Sequence, residues 1–352
     1  MATYLFDRDN REFIVTDSHQ ISQRFTYRPT LAGCWENVDE FDLYLLRHPI
    51  QRRGSDISNV YLTSNPDESV GWMFPISILD TDTIDPQGKL LDYVFISFQI
   101  LLKRIEDFDV NNDEGNLFDI YDEEAIVLIL NKRYLPDNFD VEQYRFSLYK
   151  MGFSIGEKKP FEIPFYQYEQ TSHINLRAAI TPVNELPNAE YIKQIFSSDL
   201  IETNNPIHRF IILYQIIEIL MDALSEQDII TNINKYINRE IGKNDLMHVI
   251  RDAVDESDNI QKIFKNIASE HSNVRSSFIS SVSTLYKEVG YDDGRSDIAS
   301  VVYSLRNQLF HSYRRYIGNK ELLYKVIQGF EKVILDVLIN YQFQKVEIAN
   351  EP

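Results

Sequence analysis

"SLRNQLFHSYRRY", residues 304–316, sets an arginine, the asparagine beside it and a histidine inside an otherwise apolar helical pattern. At about 100° per residue, Ile298, Val301, Val302, Leu305, Leu309 and Tyr316 fall within one arc, a core-facing stripe of ordinary width. Arg306, Asn307, His311 and Arg314 fall on the other side, together with Tyr303 and Phe310. Asn307 and His311 are i,i+4 neighbours, one above the other. The pattern predicts a helix over about 297–316, capped by Ser296 or Asp297 after the loop "GYDDGRSD" and stopped by Gly318.

Outward from this helix, the flanking sequence is also helical. Asn205 is a good N-cap and Pro206 suits a first helical position, so a helix is expected over about 206–224. More polar helical segments follow at about 226–241, 243–254 and 258–288. Asn319 can cap a last helix, "KELLYKVIQGFEKVILDVLINYQF". Residues 201–352 therefore read as an all-α bundle. Residues 1–200 differ in texture, holding ten of the twelve prolines. "YRFSLY" and "FEIPFYQY" alternate aromatic and polar residues, which is strand chemistry. "LLDYVFISFQILLKRIED" and "DEEAIVLILNKRYL" fit helix or buried strand equally well. The expected fold is an α+β domain over 1–200 followed by an all-α domain over 201–352.

The formal charge of -19 argues against indiscriminate nucleic-acid binding. Its distribution matters more. Residues 201–352 hold 17 Lys+Arg and 21 Asp+Glu, or -4, against 18 and 33, or -15, in residues 1–200. The second half is thus free to meet phosphate through a local basic patch. Cys34 is the single cysteine, so no intrachain disulfide forms. The N-terminal stretch lacks a signal-peptide pattern, and the most apolar run, "FIILYQIIEILM", contains Gln215 and Glu218 and is too short for a bilayer. A cytoplasmic protein without a membrane partner is expected. There is no GxxxxGK[ST], no GxGxxG and no Cys/His cluster. "DVNNDEGNLFDI", residues 109–120, starts like an EF-hand, but its glycine comes one place late and Ile120 stands where a bidentate Glu is needed. It reads as an acidic surface loop, and no metal or cofactor is expected. "RHPIQRRG", residues 47–54, reads as a surface loop, with a partner or phosphate contact as the other reading.

The polar face of the motif helix carries the parts for metal-free RNA cleavage. A 2′-hydroxyl must lose a proton and attack the adjacent phosphorus, and the 5′-oxygen must gain one as it leaves. An imidazole serves either step. A guanidinium binds the phosphorane oxygens bidentately. An amide such as Asn307 fixes a phosphate oxygen or orients the histidine. One such helix supplies one imidazole, so the chemistry favours two copies of the chain facing each other across a twofold axis.

Chance alone yields Arg-x4-His on the order of 0.4 times in a chain of this composition, and about 0.03 times with Asn next to the Arg. "SLRNQLFH" in a C-terminal helical bundle resembles the HEPN superfamily, whose signature is Arg, four to six residues, then His, often with a polar residue after the Arg. "RFIILYQIIEILMDAL" resembles that family's first helix, with Tyr214 and Glu218 at family-like positions. The resemblance covers roughly residues 200–345. It implies a HEPN-like bundle, a metal-independent endoribonuclease acting on RNA as a homodimer through the C-terminal half, and a toxin, abortive-infection or antiphage role. It implies Arg306, Asn307 and His311 as the catalytic set, with Tyr214 and Glu218 supporting them. Arg314 and Arg315 widen the phosphate patch on this reading, and form a solvated charged face on the other. Residues 1–200 resemble a sensor or regulatory domain only by analogy with ApeA-like abortive-infection proteins, with a regulatory protein or a phage-derived trigger as its partner. The competing reading is a non-catalytic dimeric bundle whose acidic N-terminal domain binds a basic partner.

Overall fold

The computed structural model describes residues 3–7, 12–16, 22–26, 38–52, 56–79, 89–104, 121–137, 139–156, 158–168, 176–179, 181, 183–253, 255–265, 272–291 and 294–340. The acidic stretch 109–120 lies outside them. The chain divides into two compact units. The first comprises residues 1–141, 152–160 and 169–179, and the second 142–151, 161–168 and 180–352. The division therefore does not follow residue 200: three segments from before it belong to the helical unit.

The first unit is built on strands. β1 (Thr3–Asp7), β2 (Glu12–Thr16) and β3 (Ser22–Thr26) form an antiparallel meander. A second sheet joins β4 (Phe41–Arg47), β5 (Ser58–Leu62), β6 (Asn65–Pro75), β7 (Ile126–Asn131), β8 (Ser154–Ile155) and β9 (Leu176–Ala178) in the order β8-β4-β7-β6-β5-β9. All its pairings are antiparallel except β5 with β9. β7, "IVLILN", is buried at every position, as expected of an inner strand covered on both faces. The 15-residue helix α1 (Lys89–Lys103) packs Tyr93, Val94, Phe95, Phe98 and Leu101 onto Phe41, Leu43, Phe74, Val127 and Ile129. Length separates the two ambiguous apolar runs: the longer became α1 and the six-residue one β7. The first unit is thus α+β.

Gly71 of β6 lies where β7 passes closest. A Cβ built there would stand 2.1 Å from the carbonyl oxygen of Ile129. Backbone cannot yield as a side-chain tip does, so Gly71→Ala is expected to destabilise the chain by about 3 kcal/mol or more. A thermal melt read by circular dichroism checks this, and a melting temperature matching wild type contradicts it.

The second unit is helical. It contains α2 (Arg145–Lys150), α3 (Ala189–Gln194) with a π turn over Ile195–Asp199, α4 (Pro206–Ile237), α5 (Lys243–Ala253), α6 (Glu256–Lys265), α7 (Ser272–Glu288), α8 (Ile298–Ser312) and α9 (Lys320–Asn340). Its core draws Phe210, Leu213 and Ile217 from α4, Phe278 and Leu285 from α7, Val302 and Leu305 from α8, and Ile327, Phe330 and Ile334 from α9. The two stretches that alternate like strands do not form them. "RFSLYK" is α2, opened by an Arg145–Glu142 ion pair at 2.6 Å. Residues 161–168 cross the helical unit without a strand, since Pro160 and Pro164 remove ladder donors.

A buried polar cluster ties these segments together. Arg209 of α4 is 2% exposed, and its guanidinium meets Glu331 of α9 at 2.8 Å. It also donates to the carbonyls of Leu200 and Thr203 and to the Tyr149 hydroxyl. The Tyr166 hydroxyl donates to the same Glu331 oxygen at 3.3 Å. Every donor of this buried cation therefore faces an oxygen, which is what makes its burial tolerable.

Candidate functional site

The motif helix is anchored from its first turn. Asp297 is the N-cap and accepts the Ser300 amide at 2.9 Å. Val301, Val302, Leu305 and Leu309 are buried as the stripe requires, and so is Tyr316 beyond the helix end. The helix stops at Ser312, earlier than the pattern suggests, and Tyr313–Arg315 form a 3-10 turn. Arg314 and Arg315 therefore sit on that turn, both exposed. Tyr303, expected on the polar face, packs half-buried against the helical core instead.

Three helices meet at Arg306. Its Nη1 donates to Asn307 Oδ1 at 3.0 Å, so the asparagine amide is engaged by the arginine rather than by the histidine. Its Nε lies 3.7 Å from Glu256 Oε1, an ion pair without a hydrogen bond. Its guanidinium carbon stands 5.2 Å from the Phe310 ring centre and 5.9 Å from that of Tyr214, within cation–π reach of both. Tyr214 is buried, and its hydroxyl donates to the same Glu256 oxygen at 2.7 Å. Burial pushes the Tyr214 phenol well above its ordinary range, and the hydrogen bond and charge of Glu256 push it further. The phenol therefore remains a donor throughout the physiological range and holds Glu256 in place.

Glu218 follows Tyr214 by one turn of α4 and is exposed. Loss of hydration raises its carboxyl pKa, Glu256 and Asp222 raise it further, and Arg306 opposes them. Glu218 is thus within the field of Arg306, while the ion-pair partner at 3.7 Å is Glu256. Tyr214, Glu218, Arg306 and Asn307 are brought together. Glu256 was not anticipated. It opens α6 in a polar run, "DESDN", that carries no periodic signal, and its partners lie 42 and 50 positions away in the chain.

His311 is exposed. Five residues after Arg306, it projects about 140° around the helix from it and about 7.5 Å further along the axis, whereas Asn307 and His311 are only about 40° apart. The two principal groups of one chain therefore do not converge on one phosphate from one direction. Beside them, Phe310, Tyr313 and Ile317 leave apolar surface exposed.

Of the basic stretch 47–54 in the first unit, residues 47–52 are described, and Ile50 and Gln51 are exposed there. Arg47 and His48 are buried, and Arg47 pairs with Asp122 at 2.9 Å. Arg52 donates to His48 Nε2 at 3.0 Å and lies 5.4 Å from the Phe153 ring centre. Arg52, Asp56, Ser58, Met73, Pro75, Ile126 and Phe153 line a small pocket there. Among the described residues, no group of three His, Cys, Asp or Glu side chains is arranged to hold a metal ion. No described helix is long and apolar enough to cross a membrane.

No family model, no curated protein and no solved structure matches this chain.

Proposed function

We propose that the chain is a metal-independent endoribonuclease of the HEPN type, acting in the cytoplasm as a homodimer through its helical unit. The observation that carries the reading is Arg306, steadied by Asn307, Glu256 and the Tyr214–Glu256 hydrogen bond, five residues before an exposed His311. His311 accepts the proton of an RNA 2′-hydroxyl as its oxygen bonds to phosphorus. Arg306 stabilises the dianionic phosphorane. The P–O5′ bond breaks, and the leaving oxygen takes a proton from a second imidazole. The products are a 2′,3′-cyclic phosphate and a 5′-hydroxyl.

The 140° separation on α8 is the reason for a second copy. Arg306 of one chain and His311 of its partner approach a phosphate from two sides where one chain's pair does not. Phe310, with half its surface exposed, is placed to pack at such a junction. Arg314 and Arg315 extend the phosphate-binding surface. The α+β unit restrains or directs the nuclease in answer to a regulatory protein or a phage-derived trigger, which fits a toxin or abortive-infection effector.

A second reading rests on Glu256 and Glu218. Two carboxylates already surround Arg306 and compete with phosphate for it. A non-catalytic dimer with an acidic partner-binding unit explains those carboxylates, and the -15 of residues 1–200, without any chemistry. Expression in a bacterium separates the two. Wild type is expected to arrest growth and fragment RNA, and His311→Ala to do neither. Fragmentation by both alike sinks the assignment of His311. Intact RNA in both, with the purified wild type inert towards RNA, favours the second reading.

A further inference from the structure

We propose that the distal half of α4 is a second self-association surface, covered by the same surface of another copy running antiparallel to it. α4 spans 32 residues, and its buried positions end at Leu220. Beyond them, Ile230, Ile233, Tyr236 and Ile237 are 36%, 38%, 42% and 67% exposed. At about 100° per residue these four side chains occupy an arc of roughly 120°, the width of a stripe that packs on something. Met247 on α5, the helix that follows, is also exposed. Such a concentration of large apolar side chains marks an interaction surface.

The charges around the stripe say what covers it. Asp222 and Glu226, both exposed, precede it, while Asp228 is already paired with Lys262 at 2.6 Å. Arg239 and Lys243, both exposed, follow it. From 235 to 243 three cations, Lys235, Arg239 and Lys243, outnumber the one carboxylate, Glu240. An isologous contact must be complementary to itself. An apolar centre with one acidic and one basic end meets that condition only when the two helices run antiparallel. α4 ends at Ile237 and the chain turns at Asn238 and Arg239, so a twofold axis near residues 232 and 233 sets Asp222 and Glu226 of one copy towards the basic turn of the other, which carries Lys235, Arg239 and Lys243. A parallel pair sets like charge on like.

This contact differs from the one through the motif face. Arg306 lies over Tyr214, 18 residues before that axis, or about 27 Å along the helix. The two motif sites of an α4-paired dimer thus stand about 54 Å apart, and neither completes the other. Two isologous contacts on one chain build assemblies larger than a dimer.

Sedimentation of the full chain tests this without any reference to RNA cleavage. Ile233→Asp with Ile237→Asp is expected to remove one association step, tetramer to dimer or dimer to monomer, by weakening the contact about tenfold or more. These positions are exposed, so helical content by circular dichroism stays that of wild type. Asp222→Lys with Glu226→Lys, and separately Arg239→Glu with Lys243→Glu, each weaken the contact. Mixing the two charge-reversed chains restores it, because both ends are again complementary. An unchanged mass for the isoleucine variant overturns the proposal. So does the absence of recovery on mixing, or a wild type that never self-associates, as when a different protein covers the stripe. A chain that associates in this way yet cleaves no RNA leaves this inference standing and removes only the nuclease reading.

Discussion

If the chain is the ribonuclease proposed, Arg306→Ala is expected to lower RNA cleavage by about 10²- to 10³-fold, the typical cost of removing a donor aimed at a developing oxyanion. His311→Ala is expected to lower it by about 10²- to 10⁴-fold, the range for a lost general base. Arg306→Lys recovers little, since an ammonium keeps the charge and loses the bidentate geometry. Single-turnover cleavage of a labelled RNA provides the measurement. Folding is not expected to confound it. Arg306 is only half-buried, and Tyr214 still donates to Glu256 when the guanidinium is gone. An Arg306→Ala protein that cleaves at the wild-type rate removes the guanidinium from the mechanism.

The largest effect on stability is expected at Arg209. Arg209→Ala leaves the buried Glu331 carboxylate without its cation and two carbonyls and a tyrosine hydroxyl without their donor. Breaking one side of a buried pair costs about 3 to 5 kcal/mol. Replacing both sides, Arg209→Met with Glu331→Met, is expected to cost much less, because no charge remains stranded. Urea unfolding of the three proteins measures both costs. A single variant as stable as wild type, or a double variant worse than the single, contradicts this account of the cluster.

Much of the helical unit was legible because its signals are local. The α8 stripe from Val301 to Leu309 repeats at helical spacing and is buried as read. Asn205 accepts the amides of Ile207 and His208, and Pro206 opens α4. The same helix runs thirteen residues past the expected end at 224, because Ser225 is no breaker and the chain turns only at Asn238, where Arg239 takes a positive φ of 64°. Long-range pairings were not legible. In "HRFIILYQIIEILM" attention falls on Tyr214 and Glu218, yet Arg209 is the buried ion, and its partner Glu331 lies 122 residues on. Glu256 was silent for the same reason. The strand-like alternation of 144–149 misled because burial of Phe146 and Leu148 arises from a short helix buried from Arg145 to Leu148.

The central claim is that Arg306 and His311 direct a 2′-hydroxyl onto the adjacent phosphorus. Mass spectrometry of the ends left by purified wild-type protein on RNA in the presence of EDTA tests it most directly. The account predicts 5′-hydroxyl and 2′,3′-cyclic phosphate or 3′-phosphate ends, and no cut at a linkage whose 2′-hydroxyl is replaced by hydrogen. Cleavage that stops with the chelator, 3′-hydroxyl ends, or cutting at the 2′-deoxy linkage would contradict it.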